Sequence, residues 1–156
     1  ADVLKGLNEA FPMEQNNGMF FTIWYGVFRK SSGELQYASA GHPPAVLLTG
    51  EDPEHAEVHR LGTGGLVIGG MPDIDYKSDV RRVGAFNTLF VYSDGAYEVT
   101  DKSTGAMWSM EKWIDMLAGY GRHAAPAGVD SLRRQVAAIQ GRDQFDDDFS
   151  LLQVRL

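Results

Sequence analysis

Leu89-Phe90-Val91-Tyr92 runs without a break into Ser93-Asp94-Gly95, and no other stretch restricts the possible folds as strongly. Four apolar residues bounded by a turn signal read as a buried strand. Burying an unpaired carboxylate costs several kcal/mol, so Asp94 belongs at the strand's mouth with a partner, commonly a cation. Near the C-terminus the order is reversed, with Asp146-Asp147-Asp148 preceding Phe149-Ser150-Leu151-Leu152-Gln153-Val154. If the two strands pair antiparallel, the end of one meets the start of the other, and both acidic groups reach one rim of a sheet. Carboxylates without cysteine or a histidine cluster beside them suit hard cations such as Mg2+ or Mn2+. The plainer alternative is a solvated turn at Asp94-Gly95 and a solvated strand start at the Asp run, since Asp is a common turn residue.

The 156 residues fit one domain with a substantial core, and Trp, Tyr and Phe recur along the whole length, as in a globular chain. A formal charge of −7 argues against a general binder of nucleic acid or of acidic membrane surfaces. The absence of cysteine removes disulfides, thiolate ligands and cysteine nucleophiles together. No run approaches the roughly 18 apolar residues of a membrane span, and no signal peptide opens the chain. These readings give a cytoplasmic domain that binds neither nucleic acid nor membrane. The chain begins Ala1-Asp2-Val3 without an initiator methionine, so a fragment of a longer protein is expected.

Asp2 is placed to cap a first helix, with Val3, Leu4, Leu7, Ala10 and Phe11 on one face. Pro12 and Asn16-Asn17-Gly18 end it. Met19 to Phe28 is almost wholly apolar and predicts an inner strand buried on both faces. Ser31-Ser32-Gly33 turns into a second strand over Glu34 to Ala40, and Gly41-His42-Pro43-Pro44 turns again before Ala45-Val46-Leu47-Leu48. Together these predict a three-stranded antiparallel meander. Glu51 to His59 reads as a surface loop and Val58 to Leu61 as a short strand. Gly62, Gly64, Gly65, Gly69 and Gly70 imply unusual backbone angles or close backbone approach, without the Lys-Ser/Thr of a phosphate loop. Val80 to Val83 predicts one more strand before the one ending at Tyr92.

Two helices should separate the acidic stretches. In Met107 to Ala118 the stripe is Met110, Trp113, Ile114 and Leu117. In Pro126 to Gln140 it is Val129, Leu132, Val136 and Ile139, with Pro126 in the first turn and Gly141 as C-cap. Strands, then two helices, then a last strand make an α+β layered domain.

Several blocks occur in order: Phe20-Phe21-Thr22 with Tyr25-Gly26, Ala40-Gly41-His42-Pro43-Pro44, Tyr92-Ser93-Asp94-Gly95 with Glu98, and Asp147-Asp148-Phe149-Ser150. With Leu7-Asn8 and the Asn16-Asn17 turn, they resemble the SpoIIE-like branch of the metal-dependent, type-2C (PPM) protein serine/threonine phosphatases, over essentially the whole chain. The resemblance implies an α-β-β-α sandwich of antiparallel sheets with a metal site at one rim. It implies hydrolysis of phosphoserine or phosphothreonine by a metal-activated water, with Mn2+ or Mg2+ as cofactor. By motif, Asp94 and Asp147 are the implied metal ligands, and Asp148 sits beside them rather than on the metal. Gly95 shapes the turn, and Glu98 orients either the metal shell or the turn. His42 is either an acid or phosphate contact or, as the resemblance favours, a support for its own turn.

One block of that branch, G-D-x-x-G-H-G, has no counterpart in this sequence. The expectation is therefore the C-terminal larger part of such a domain, with an incomplete metal centre and little phosphatase activity on its own. The implied partner is a phosphoprotein such as an anti-anti-sigma factor in bacterial stress signalling, in a parent protein that can be a homodimer. The alternative is a degenerate phosphatase domain serving as a protein-binding adaptor in a response regulator that controls a sigma factor. Arg81-Arg82 reads as a solvated strand edge, Trp108 and Trp113 as helix core, and His55 and His59 as exposed loop residues.

Overall fold

The computed structural model describes residues 1–123 and 128–156. In chain order the elements are α1 (Asp2–Ala10), β1 (Ile23–Arg29), β2 (Glu34–Ala40), β3 (Ala45–Gly50), β4 (Glu57–Leu61), β5 (Asp79–Arg82), β6 (Phe86–Tyr92), α2 (Met110–His123), α3 (Asp130–Gln140) and β7 (Leu151–Val154). They form a sheet of order β1-β2-β5 and a sheet of order β4-β3-β6-β7. The chain divides into two compact units, residues 1–45 with 60–83 and residues 46–59 with 84–156. Among the described residues no helix is long and apolar enough to cross a membrane.

In the first unit β1 and β2 form the expected hairpin, in register from Ile23↔Ala40 to Arg29↔Glu34, with Gly33 at φ 66° in the turn. Leu4 of α1 is fully buried and packs with Ala38, Ala40, Ile68 and Tyr76. The buried face of α1 differs from the predicted one. Val3 and Phe11 are exposed, whereas Asn8 is buried. Its amide donates to Met71 O at 2.9 Å, while its Oδ1 accepts from Gly69 N at 2.8 Å and the Tyr76 hydroxyl at 3.3 Å. A buried amide is tolerated because these partners satisfy it. Asp2 is the first helical residue, and the cap position falls to Ala1, which makes no side-chain bond.

The predicted inner strand over Met19 to Phe28 is corrected. β1 starts at Ile23 and lies at the edge of its sheet, and Met19, Phe20, Tyr25 and Val27 are exposed. Aromatic and β-branched residues favour a strand wherever it lies, so such a run cannot tell edge from centre. The glycine-rich stretch behaves as predicted: Gly64 and Gly69 have φ of 60° and 85°, and a Cβ on Gly69 would lie 2.3 Å from Phe11 O.

Across the β2–β5 ladder Tyr37 faces Asp79, and its hydroxyl donates to Asp79 Oδ2 at 3.0 Å. Burial, then this hydrogen bond, pushes the phenol from 10.0 up to about 12. A raised folded-state value means stability that is complete below pH 10.0 and is lost as the pH climbs towards 12. Absorbance titration should therefore show one tyrosine ionising near 12. Asp79→Asn should lower that value while burial holds it above 10.0. Uniform titration at the ordinary value would show that Tyr37 is neither buried nor paired.

In the second unit, β6 lies between β3 and β7. β3 pairs with β6, from Val46↔Phe90 to Gly50↔Phe86, and not with β2, so the predicted meander is corrected to a hairpin followed by a change of sheet. Pro43 and Pro44 have no N–H to extend a ladder, and Gly41 turns at φ 64°, so β2 ends its pairing there. The core gathers Val46, Leu48, Phe90, Trp113, Leu117, Leu132 and Val136, all fully buried. Trp113, Ile114 and Leu117 form the buried stripe of α2, which starts at Met110 rather than Met107. Leu132 and Val136 form that of α3, and Gly141 caps it at φ 75° with its N–H on Ala137 O. Pro126, the predicted start of this helix, lies outside the described residues. His55 is exposed and pairs with Asp52. His59, predicted to be exposed, sits on β4 with its side chain only 19% exposed, because the strand begins earlier than the loop composition suggests.

Candidate metal centre

β6 and β7 pair antiparallel from Leu89↔Val154 to Tyr92↔Leu151, so the mouth of one strand is the entrance of the other. The arrangement continues past the last strand pair. Ser93 N–H donates to Ser150 O at 3.1 Å, the Ser93 hydroxyl donates to Asp148 O at 2.7 Å, and Ser150 N–H donates to Ser93 Oγ at 2.9 Å. Asp94 opens a short 3-10 turn ending at Ala96, closed by Tyr97 N–H and Glu98 N–H, both donating to Asp94 O at 2.9 Å. Gly95 is pressed against the incoming chain, where a Cβ would stand 2.6 Å from Asp148 O and 3.2 Å from Asp147 C. Asp-Gly is thus dictated by contact: the residue after the acid has no room for a side chain.

The two carboxylates flank this junction and are exposed. Asp94 Oδ1 accepts from Gly95 N–H at 3.1 Å and Asp147 Oδ1 from Asp148 N–H at 2.7 Å. The platform beneath is built of packed aromatic rings. Tyr92 meets the Trp113 and Tyr97 rings edge-on at 5.6 and 6.0 Å, and Trp113 meets Phe149 at 6.4 Å. Burial, with the Glu98 and Asp94 carboxylates nearby, raises the Tyr97 phenol above its ordinary value.

The remaining predicted residues are placed as follows. Asp148 carries an exposed carboxylate, and its backbone oxygen is the Ser93 acceptor. Glu98 is exposed and its amide closes the Asp94 turn. His42 Nδ1 lies 2.8 Å from Pro43 O, a contact within its own turn in the other unit. Asp146 pairs with Arg142. The Ser93 hydroxyl was missed as a contributor to this geometry. Its position between a buried strand and an Asp-Gly pair was the available signal.

Oxygen donors from one or two carboxylates, completed by water and phosphate, fit Mg2+ or Mn2+ chemistry. Among the described residues, no group of three or more His, Cys, Asp or Glu side chains is placed to hold a metal ion. The donor set fits a divalent cation, with protein ligation that is sparse.

The family described as Stage II sporulation protein E (SpoIIE) matches residues 1–156. The chain belongs to the SpoIIE family. Phosphoserine phosphatase RsbU of Bacillus subtilis is 31% identical over 158 residues, covering 99% of this chain and 44% of RsbU. The chain thus spans less than half the length of RsbU. The SiaA-PP2C domain of Pseudomonas aeruginosa superposes with a TM-score of 0.79 at 18% identity, over 99% of this chain and 59% of that one. The manganese-presoaked phosphatase domain of SpoIIE from Bacillus subtilis gives 0.62 at 19% identity, over 86% and 56%. The two antiparallel sheets with their helices are therefore the α+β fold of PP2C phosphatase domains.

Proposed function

We propose that this SpoIIE-family chain is a single domain, the larger part of a metal-dependent protein serine/threonine phosphatase. In this reading Asp94 and Asp147 ligate Mn2+ or Mg2+, and a phosphoprotein of a cytoplasmic signalling pathway is the substrate. The observation that carries the proposal is the β6–β7 junction, which brings both exposed carboxylates to one rim. When bound, divalent ions supply an acidified water and neutralise phosphoryl charge. The chain's part is to present oxygen ligands on a fixed backbone. Asp94 does so from the 3-10 turn and Asp147 from the residue before the Ser93 contact, while Asp148 and Glu98 add negative charge at the rim. His42 supports its own turn. An exposed rim suits a protein substrate that docks by its surface, such as an anti-anti-sigma factor.

The sparse ligation favours a second reading as well, a degenerate domain kept as a protein-binding adaptor. Both are tested with a phosphoserine peptide and Mn2+. The expected result is turnover near background from this chain alone, with measurable Mn2+ binding that weakens about tenfold or more in Asp94→Asn. Identical calorimetric isotherms for the two proteins would remove Asp94 from the ligand set. Brisk Mn2+-dependent turnover, lost in Asp94→Asn, would overturn the incomplete centre and the adaptor reading together.

A further inference from the structure

The geometry points to Ser93 as a positioning residue for the candidate metal centre: its hydroxyl holds Asp147 against Asp94. This inference rests on the metal-site reading above.

Ser93 makes three hydrogen bonds to the segment entering β7, one through its N–H and two through Oγ. The hydroxyl is used in both directions, donating to Asp148 O and accepting from Ser150 N–H. Only a group that is donor and acceptor at once can bridge a carbonyl and an amide in this way. Each acid is one residue away from an atom in the bridge, since Asp94 follows Ser93 and Asp147 precedes Asp148. The bridge therefore ties together the residues adjoining the two acids across the junction of β6 and β7.

Among the described residues the loop's other side-chain hydrogen bonds are local, and Phe149 packs on Trp113. The Gln140 amide donates to Arg142 O at 2.7 Å and Gln144 O at 3.1 Å, Arg142 pairs with Asp146, and Asp147 accepts from its own neighbour. These shape the loop without fixing it to β6. Both Asp148 and Ser150 are exposed, so water can replace the lost hydroxyl partner. Removing the hydroxyl should therefore cost little stability while loosening the spacing of the acids. Misplaced ligands bind metal less well even when every ligand is still present.

The test compares wild type, Ser93→Ala, Ser93→Thr and Asp94→Asn with Mn2+ alone. The readouts are calorimetric affinity, paramagnetic broadening of the Gly95 and Asp148 amide signals, and hydrogen exchange at the Ser150 amide. Ser93→Ala should weaken Mn2+ about tenfold or more, reduce the broadening at Asp148, and speed exchange at Ser150. Ser93→Thr keeps Oγ and should restore all three. Wild-type affinity and broadening in Ser93→Ala, beside a weakened Asp94→Asn, would overturn the positioning role alone. Failure of Ser93→Thr to recover would overturn it equally, because packing and not the hydroxyl would then matter. Equal binding by wild type and Asp94→Asn would bring down the metal-site reading, and this inference with it.

Discussion

Trp113→Ala should destabilise the protein by about 3–5 kcal/mol, the range for removing a large buried aromatic side chain. Trp113 is fully buried and belongs to the same core as Phe90, Leu117, Leu132 and Val136. Its ring also meets Tyr92 and Phe149 edge-on, at the buried ends of the two strands that carry the acids. The cavity would open where α2 packs beneath the ends of β6 and β7. Trp113→Phe should cost far less, because its indole N–H is buried with no hydrogen-bond partner among the described residues and nothing polar is lost with it. Urea unfolding of the three proteins gives the comparison through the shift in midpoint at constant slope. A loss below about 1 kcal/mol for Trp113→Ala, the range of an ordinary surface change, would place the ring outside the core.

Gly95→Ala should damage the site more than the fold. The new Cβ would be 2.6 Å from Asp148 O and 3.0 Å from Asp148 C, both backbone atoms that cannot rotate aside. The ends of β6 and β7 must then part, and Asp147 moves with its strand. Overpacking of this kind costs about 1–3 kcal/mol, while Mn2+ affinity should fall at least about tenfold. Gly119→Ala is the control, since a Cβ there meets nothing within 4 Å and it lies inside α2. It should leave Mn2+ binding alone and stabilise the helix by up to about 1 kcal/mol. Unchanged Mn2+ affinity in Gly95→Ala would mean that the close approach does not set the ligand spacing.

The centre of the fold was legible because two signals agreed there. The run Leu89–Tyr92 is apolar and ends in an acid, and the segment after Asp148 mirrors it, so antiparallel pairing was the arrangement that kept both carboxylates wet. The helix stripes of α2 and α3 were legible from period, and the C-cap at Gly141 from residue type. Pairing partners were less so. Nothing in Ala45–Leu48 distinguishes a return along β2 from a move to β6, because a strand's pattern records its faces and not its neighbour. The same ambiguity hid the edge position of β1. Asn8 escaped because a polar residue on a helix reads as solvent-facing until its partners, Gly69, Met71 and Tyr76, are brought near by the rest of the chain. The contribution of Ser93 was hidden for a related reason, since its two acceptor and donor partners lie more than fifty residues away.

Neither compact unit is a continuous piece of chain: the first needs residues 1–45 and 60–83, the second 46–59 and 84–156. During synthesis β3 emerges long before β6, its pairing partner, and β6 long before β7. The second core therefore cannot close until β6, α2 and α3 have left the ribosome, and β7 adds the edge of the sheet last. Such non-local pairing makes folding slow relative to helical domains of similar size. It also means that a nascent chain stopped short of Leu151 would have Asp94 at an open strand end, with the acid that should face it not yet folded.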